Sequence, residues 1–195
     1  EQTEHFLLFY PPATESAEHV RKAAAQVENS YRDLSSQGFE LEERYAAFFI
    51  PSSDDFQAMT TRDPERFNGV ASSAYEVVDG RIATTNRAMY INDYRFLVQQ
   101  RVWGNQDRQK TITHELVHLA LADHTRPFTP SWLVEGAAVH HAKQNNSVTR
   151  EALRRSAIPG RFTHAEMSRS YILGAGVPDP QICLLYTSPS PRDIG

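Results

Sequence analysis

Most strand-like segments of this sequence lie in its first half, and the hydrophobic pattern becomes helical after residue 107. Apolar residues at three- and four-residue steps predict helices over 107–123 and 130–143. Because the strands come before these two helices, their order indicates an α+β fold with an N-terminal mixed sheet. The strands are predicted from short apolar runs bounded by turn-forming residues, at 6–10, 44–50, 70–78, 81–85 and 88–92.

Two further helices are predicted among these strands. One begins near Thr14 and ends at Gln37-Gly38, and a shorter one begins at Ser52 and runs through Met59. Asp79-Gly80, between two strands, favours a two-residue hairpin turn.

Length and composition exclude some classes of protein. A chain of 195 residues that is 40% apolar can bury a core without disulfides. Its longest apolar stretches, such as 45–50, have strand length, so we expect no integral membrane segment. The basic residues, 17 Arg and 3 Lys, are scattered and the net charge is −4, so nucleic acid is not an expected partner.

The strongest local feature is the pattern H-E-L-V-H at 114–118, inside a predicted helix. On a helix, His114 and His118 differ by about 40° around the axis and by one turn along it, so both imidazoles can reach one cation. Chance matches to this pattern are expected about 0.02 times in a chain of this composition. Ile112, Leu116 and Leu119 form a separate apolar stripe that predicts docking on the core.

Two imidazoles with a carboxylate suit zinc, and a catalytic zinc site keeps one position open for water. Two histidines and a carboxylate also describe non-haem iron sites, but those are usually built on a β-barrel and not on one helix. We therefore expect Zn²⁺, with a third ligand from elsewhere in the chain.

A second motif, W-L-V-E-G-A-A, occupies positions 132–138. With both motifs the chain resembles the gluzincin metallopeptidases, specifically bacterial-type peptidase-MA-like domains with H-E-L-x-H on one helix and W-L-x-E-G-x-A on the next. The resemblance implies a zincin-type active-site helix followed by a second ligand-bearing helix. It implies that His114, His118 and Glu135 bind zinc, that Glu115 is the general base, and that the reaction is hydrolysis of a peptide bond in a peptide or protein.

The spacing of Glu135 is compatible with that role. It follows His118 by 17 positions and comes after a connection with Pro127 and Pro130, which is enough chain to bring an antiparallel helix back alongside. Trp132 and Leu133 are expected to hold this second helix against the core. The other interpretation is a solvated helix glutamate.

His124 is an alternative third ligand. It follows His118 by six positions, as in the metzincin pattern H-E-x-x-H-x-x-G-x-x-H, but Leu121 stands where that pattern has Gly. A bulky residue disfavours the positive φ that such a turn requires. A metzincin-like peptidase with His124 as ligand is therefore the less favoured alternative.

Other polar residues carry weaker signals. Candidates for stabilising an oxyanion are His164, Tyr171 and one of the pair His140 and His141. Val139 stands four positions after Glu135, where thermolysin-like proteins have Asp, so a carboxylate that orients a ligand histidine must come from elsewhere or be absent.

Two non-enzymatic functions stay open from sequence: a catalytically idle zinc-containing module that binds a peptide or protein, and a metal-free interaction domain. The intact Glu115 argues against the first, because zinc retention alone does not need it. For a peptidase, segment 88–92 is the expected exposed strand along which substrate lies.

The C-terminal segment changes character abruptly. Cys183 to Asp193 reads C-L-L-Y-T-S-P-S-P-R-D, which corresponds codon by codon to a translated transposase sequencing adapter. We expect one zincin-like domain over 1–181, truncated at its C-terminus, and a non-native tail over 182–195; a genuine Pro/Ser-rich tail is the alternative. The family resemblance and the absence of an initiator Met favour export, while substrate specificity and oligomeric state stay open.

Overall fold

The computed structural model describes residues 1–11, 17–79, 81–97, 108–122, 124–125, 129 and 131–144. Its strands form a mixed sheet, and its helices lie both between the strands and after them. This arrangement confirms the predicted α+β class. In chain order the described elements are β1 (Phe6–Phe9), α1 (Ala17–Ser36), β2 (Tyr45–Ile50), α2 (Ser53–Thr60), β3 (Gly69–Val78), β4 (Arg81–Asn92), α3 (Asp93–Leu97), α4 (Arg108–Leu121) and α5 (Ser131–His141).

The chain divides into two units, Glu1–Ala122 and Asp123–Gly195. The first contains the whole described sheet and helices α1 to α4. In the described part of the second unit there is one helix, α5. No helix among the described residues is both long and apolar enough to cross a membrane.

The sheet has four strands in the order β1-β2-β4-β3. β1 and β4 each pair with β2 in parallel, and β3 pairs with β4 in an antiparallel hairpin. The expectation that 88–92 forms an exposed edge is therefore wrong, because this segment belongs to β4 and has a partner strand on each side. The two predicted strands 81–85 and 88–92 are one strand, which contains Asn86 at φ 52°.

One face of the sheet lines the hydrophobic core of the first unit. Alternate residues of β1, β2 and β4 point to this face and are buried, and α4 packs beside β3 and β4 while α1 packs against α4. The predicted apolar stripe of α4 is confirmed, since Ile112, Leu116 and Leu119 have no exposed area. The largest fully buried side chains of the three strands are Phe6, Tyr45, Phe49, Met89 and Ile91.

A buried polar network joins α1, α3 and the beginning of α4. Asp93, the first residue of α3, has no exposed area; its Oδ1 accepts a hydrogen bond from Arg108 Nη1 at 2.8 Å, and its Oδ2 lies 2.6 Å from His19 Nε2. Arg108 Nε donates to Gln26 Oε1 at 2.7 Å. Because buried charges are tolerated only when they are paired, these contacts fix the position where α4 begins.

A second set of polar contacts fixes α4 along α1. Gln109 Nε2 donates to Ser30 Oγ at 2.6 Å and to the carbonyl of Gln26 at 2.9 Å, and Ser30 Oγ lies 2.9 Å from Thr113 Oγ1. Thr113 directly precedes His114, so these contacts determine where the two histidines lie relative to α1.

Candidate metal centre on helix α4

His114 and His118 lie one turn apart on the same side of α4, as their spacing predicts. Their Nε2 atoms are 3.1 Å apart, and both side chains are half-buried. Two nitrogens bound at 2.0–2.1 Å to one tetrahedral zinc ion would lie about 3.3 Å apart. The histidine pair therefore fits two ligand positions of one zinc ion.

Glu115 lies next to the pair in sequence and is almost fully buried, with 6% of its surface exposed. Its side chain packs on Gly69, the first residue of β3: a Cβ atom on Gly69 would lie 2.8 Å from both Cγ and Oε1 of Glu115. Real Cβ atoms do not approach other atoms so closely. The glycine thus leaves the space that the Glu115 carboxylate occupies.

Sequence reasoning missed the part that Gly69 plays. A glycine at the start of a predicted strand is consistent with close approach of another group, but nothing in the pattern indicates that this group is Glu115.

Gly69→Ala is expected to displace Glu115 and to lower the stability of the chain, because the new methyl group would also meet Thr111 Cγ2 at 3.0 Å. Overpacking of this kind typically costs about 1–3 kcal/mol. Urea unfolding measures the effect, and Ser72→Ala, at an exposed position of the same strand, is the matched control. Equal stability of Gly69→Ala and the control would contradict the close contact.

Glu135 lies in α5 of the second unit and is half-buried. The expectation that Leu133 holds this helix against a core is wrong, because 47% of that residue is exposed. The buried residues of α5 include Ala138 and Val139, and Leu133 lies about 140° around the helix from Ala138. The side chain of Trp132 lies outside the described part of the structure.

The sequence also singled out the histidines His124, His140, His141 and His164. α4 ends at Leu121, and His124 follows in an exposed turn of the second unit. In α5, His140 is exposed and His141 is half-buried. His164, Tyr171 and the tail 182–195 lie outside the described residues, so the predictions made for them stay predictions.

Comparisons with protein-family models, with curated proteins and with solved structures found no match to this chain.

Proposed function

We propose that this protein is a zinc-dependent peptidase in which His114, His118 and Glu135 bind the metal and Glu115 is the general base. The observation that carries the proposal is the histidine pair, with its Nε2 atoms 3.1 Å apart, directly beside a buried glutamate. A helix that served only as a structural element has no need for both features at once.

The chemistry of the three side chains suits zinc. Each offers one ligand atom, an imidazole nitrogen or a carboxylate oxygen, and each is half-buried. This set is the one that zinc takes in many hydrolytic sites, where a fourth position is left for water or substrate. When bound there, zinc supplies a Lewis acid that polarises a carbonyl group and makes water nucleophilic near neutral pH.

Glu115 is the residue that accepts and donates the proton in this proposal. Its carboxylate accepts a proton from the attacking water and then donates it to the amine that leaves when the peptide bond breaks. Burial against Gly69 restricts the carboxylate to a small region, which holds it in position before substrate arrives.

β3 replaces segment 88–92 as the strand proposed to bind substrate. Among the described residues β3 pairs only with β4, so its other edge can hydrogen-bond an extended peptide. β3 also begins at Gly69, in contact with Glu115, so a peptide lying along its start would pass the general base.

Metal content tests the ligand set directly. Mass spectrometry of the purified parent chain is expected to show about one tightly held zinc ion after dialysis. Glu135→Ala is expected to lose most of this metal, because two histidines alone bind the ion too weakly to retain it through dialysis. His124→Ala is the matched control and is expected to keep the metal.

The opposite pattern is a His124→Ala variant that loses zinc and a Glu135→Ala variant that keeps it. That result would favour the metzincin-like alternative over this proposal. No zinc in a folded parent chain would contradict the zinc site on α4.

A further inference from the structure

A second group of metal-ligating side chains lies where the chain enters β1, separate from α4 within the same unit. It consists of Glu4, His5 and Glu28 of α1, with one ligand atom of each within 4.8 Å of the others. Glu28 holds His5 at two points: its Oε2 lies 2.8 Å from His5 Nδ1, and its Oε1 accepts a hydrogen bond from the His5 backbone N–H at 2.9 Å.

These contacts determine which imidazole nitrogen carries the proton. Oε2 of the Glu28 carboxylate faces Nδ1 of His5 at 2.8 Å, a distance typical of a hydrogen bond to a charged group. An ionised carboxylate only accepts hydrogen bonds, so Nδ1 of His5 must be the donor. In the neutral ring, Nε2 then has a free electron pair suited to a metal ion.

Nε2 of His5 lies 3.9 Å from Oε1 of Glu4. That separation is too long for a hydrogen bond. Two ligand atoms of one tetrahedral zinc ion lie about 3.3 Å apart, so Glu4 would have to move by roughly 0.6 Å to share an ion with His5. The Glu4 side chain is 82% exposed, so it can adjust to the ion without disturbing the core.

The surroundings leave room for the rest of a coordination shell. A cavity of about 640 Å³ opens at this group, lined also by Arg32, Ser35 and Ser36 of α1. Tyr31 stacks on the imidazole with the ring centroids 3.7 Å apart and the planes at 14°, which fixes the plane of His5. Waters in the cavity can occupy the remaining ligand positions.

We propose that Glu4 and His5 bind a second divalent transition-metal ion, with Glu28 as the positioning residue that orients His5. One imidazole and one carboxylate suit Zn²⁺, and the site does not depend on the peptidase proposal. A bound ion would stabilise the attachment of β1 to α1, because His5 is held by Glu28 of that helix.

Calorimetric titration with Zn²⁺ tests this site in the full chain carrying His114→Gln and His118→Gln, which removes the histidine pair on α4. One binding event per chain is expected to remain. Adding His5→Gln is expected to abolish it, and Glu28→Gln is expected to weaken it by about 10- to 100-fold, as loss of a group that orients a ligand histidine usually does. His140→Gln, at an exposed histidine of α5, is the control and is expected to leave it unchanged.

Nuclear magnetic resonance of the parent chain gives an answer that does not depend on the folding of any variant. Zn²⁺ is expected to shift the amide signals of His5 and Glu28. No residual binding event, an event that survives His5→Gln, or unmoved signals of these amides would each overturn the proposal and leave His5 as a charged bridge between two carboxylates.

Discussion

Glu115→Gln is expected to lower peptide hydrolysis by about 10²- to 10⁴-fold, the usual contribution of a positioned general base, while zinc content stays unchanged. The amide has nearly the shape of the carboxylate and therefore fits against Gly69, but it does not accept a proton from water. The comparison needs kcat/KM on a mixture of quenched-fluorescent peptides together with zinc analysis of both proteins. Glu18→Gln, at an exposed position of α1, is the matched control.

Two outcomes would contradict the role of Glu115. Equal rates in the parent and Glu115→Gln would assign the base to another residue. A zinc-loaded parent that hydrolyses none of the peptides, but binds them as tightly as Glu115→Gln does, would identify the chain as a binding module with an idle metal.

Asp93→Ala is expected to lower the free energy of unfolding by about 3–5 kcal/mol, the usual effect of removing one partner of a buried ion pair. Arg108 has only 7% of its side chain exposed and would be left without the carboxylate that accepts its hydrogen bond at 2.8 Å. His19 would lose the same partner. Urea unfolding of the zinc-free chain measures the change without a contribution from metal binding.

Glu42→Gln is the matched control for this experiment. Glu42 pairs with Arg87 at 3.0 Å, but 48% of its side chain is exposed, so water screens this carboxylate and its loss is expected to cost less than the loss of Asp93. If Asp93→Ala costs no more than Glu42→Gln, the buried network does not fix the beginning of α4.

Much of the fold could be predicted because its signals are local. Ser52 caps α2 through a hydrogen bond from the Asp55 backbone N–H, and Asp79 adopts positive φ in the hairpin turn, as their residue types suggest. α3 was missed because five residues are too few to show a helical period. β4 was divided in two because Thr84, Thr85 and Asn86 interrupt its apolar pattern, although the pairing with β3 continues past them.

The candidate site also has features that the local sequence predicts and others that it does not. The spacing of His114 and His118 along one helix is readable from sequence, and the structure brings the two imidazoles together as expected. The approach of Gly69 to Glu115 and the pairing of Asp93 with Arg108 join residues distant in sequence. No local pattern encodes such contacts, because they depend on how the strands and helices pack.

The position of β4 between β2 and β3 has a consequence for the order of folding. The β3–β4 hairpin needs only a short turn and can form within microseconds, whereas the parallel pairs require chain crossovers and form more slowly. α4 follows all four strands in the chain and packs on the hairpin, so it can dock only after the hairpin has formed. We therefore expect the contact between Glu115 and Gly69 to form late during synthesis, and a chain trapped before that stage would contain the hairpin and the histidine pair but no positioned general base.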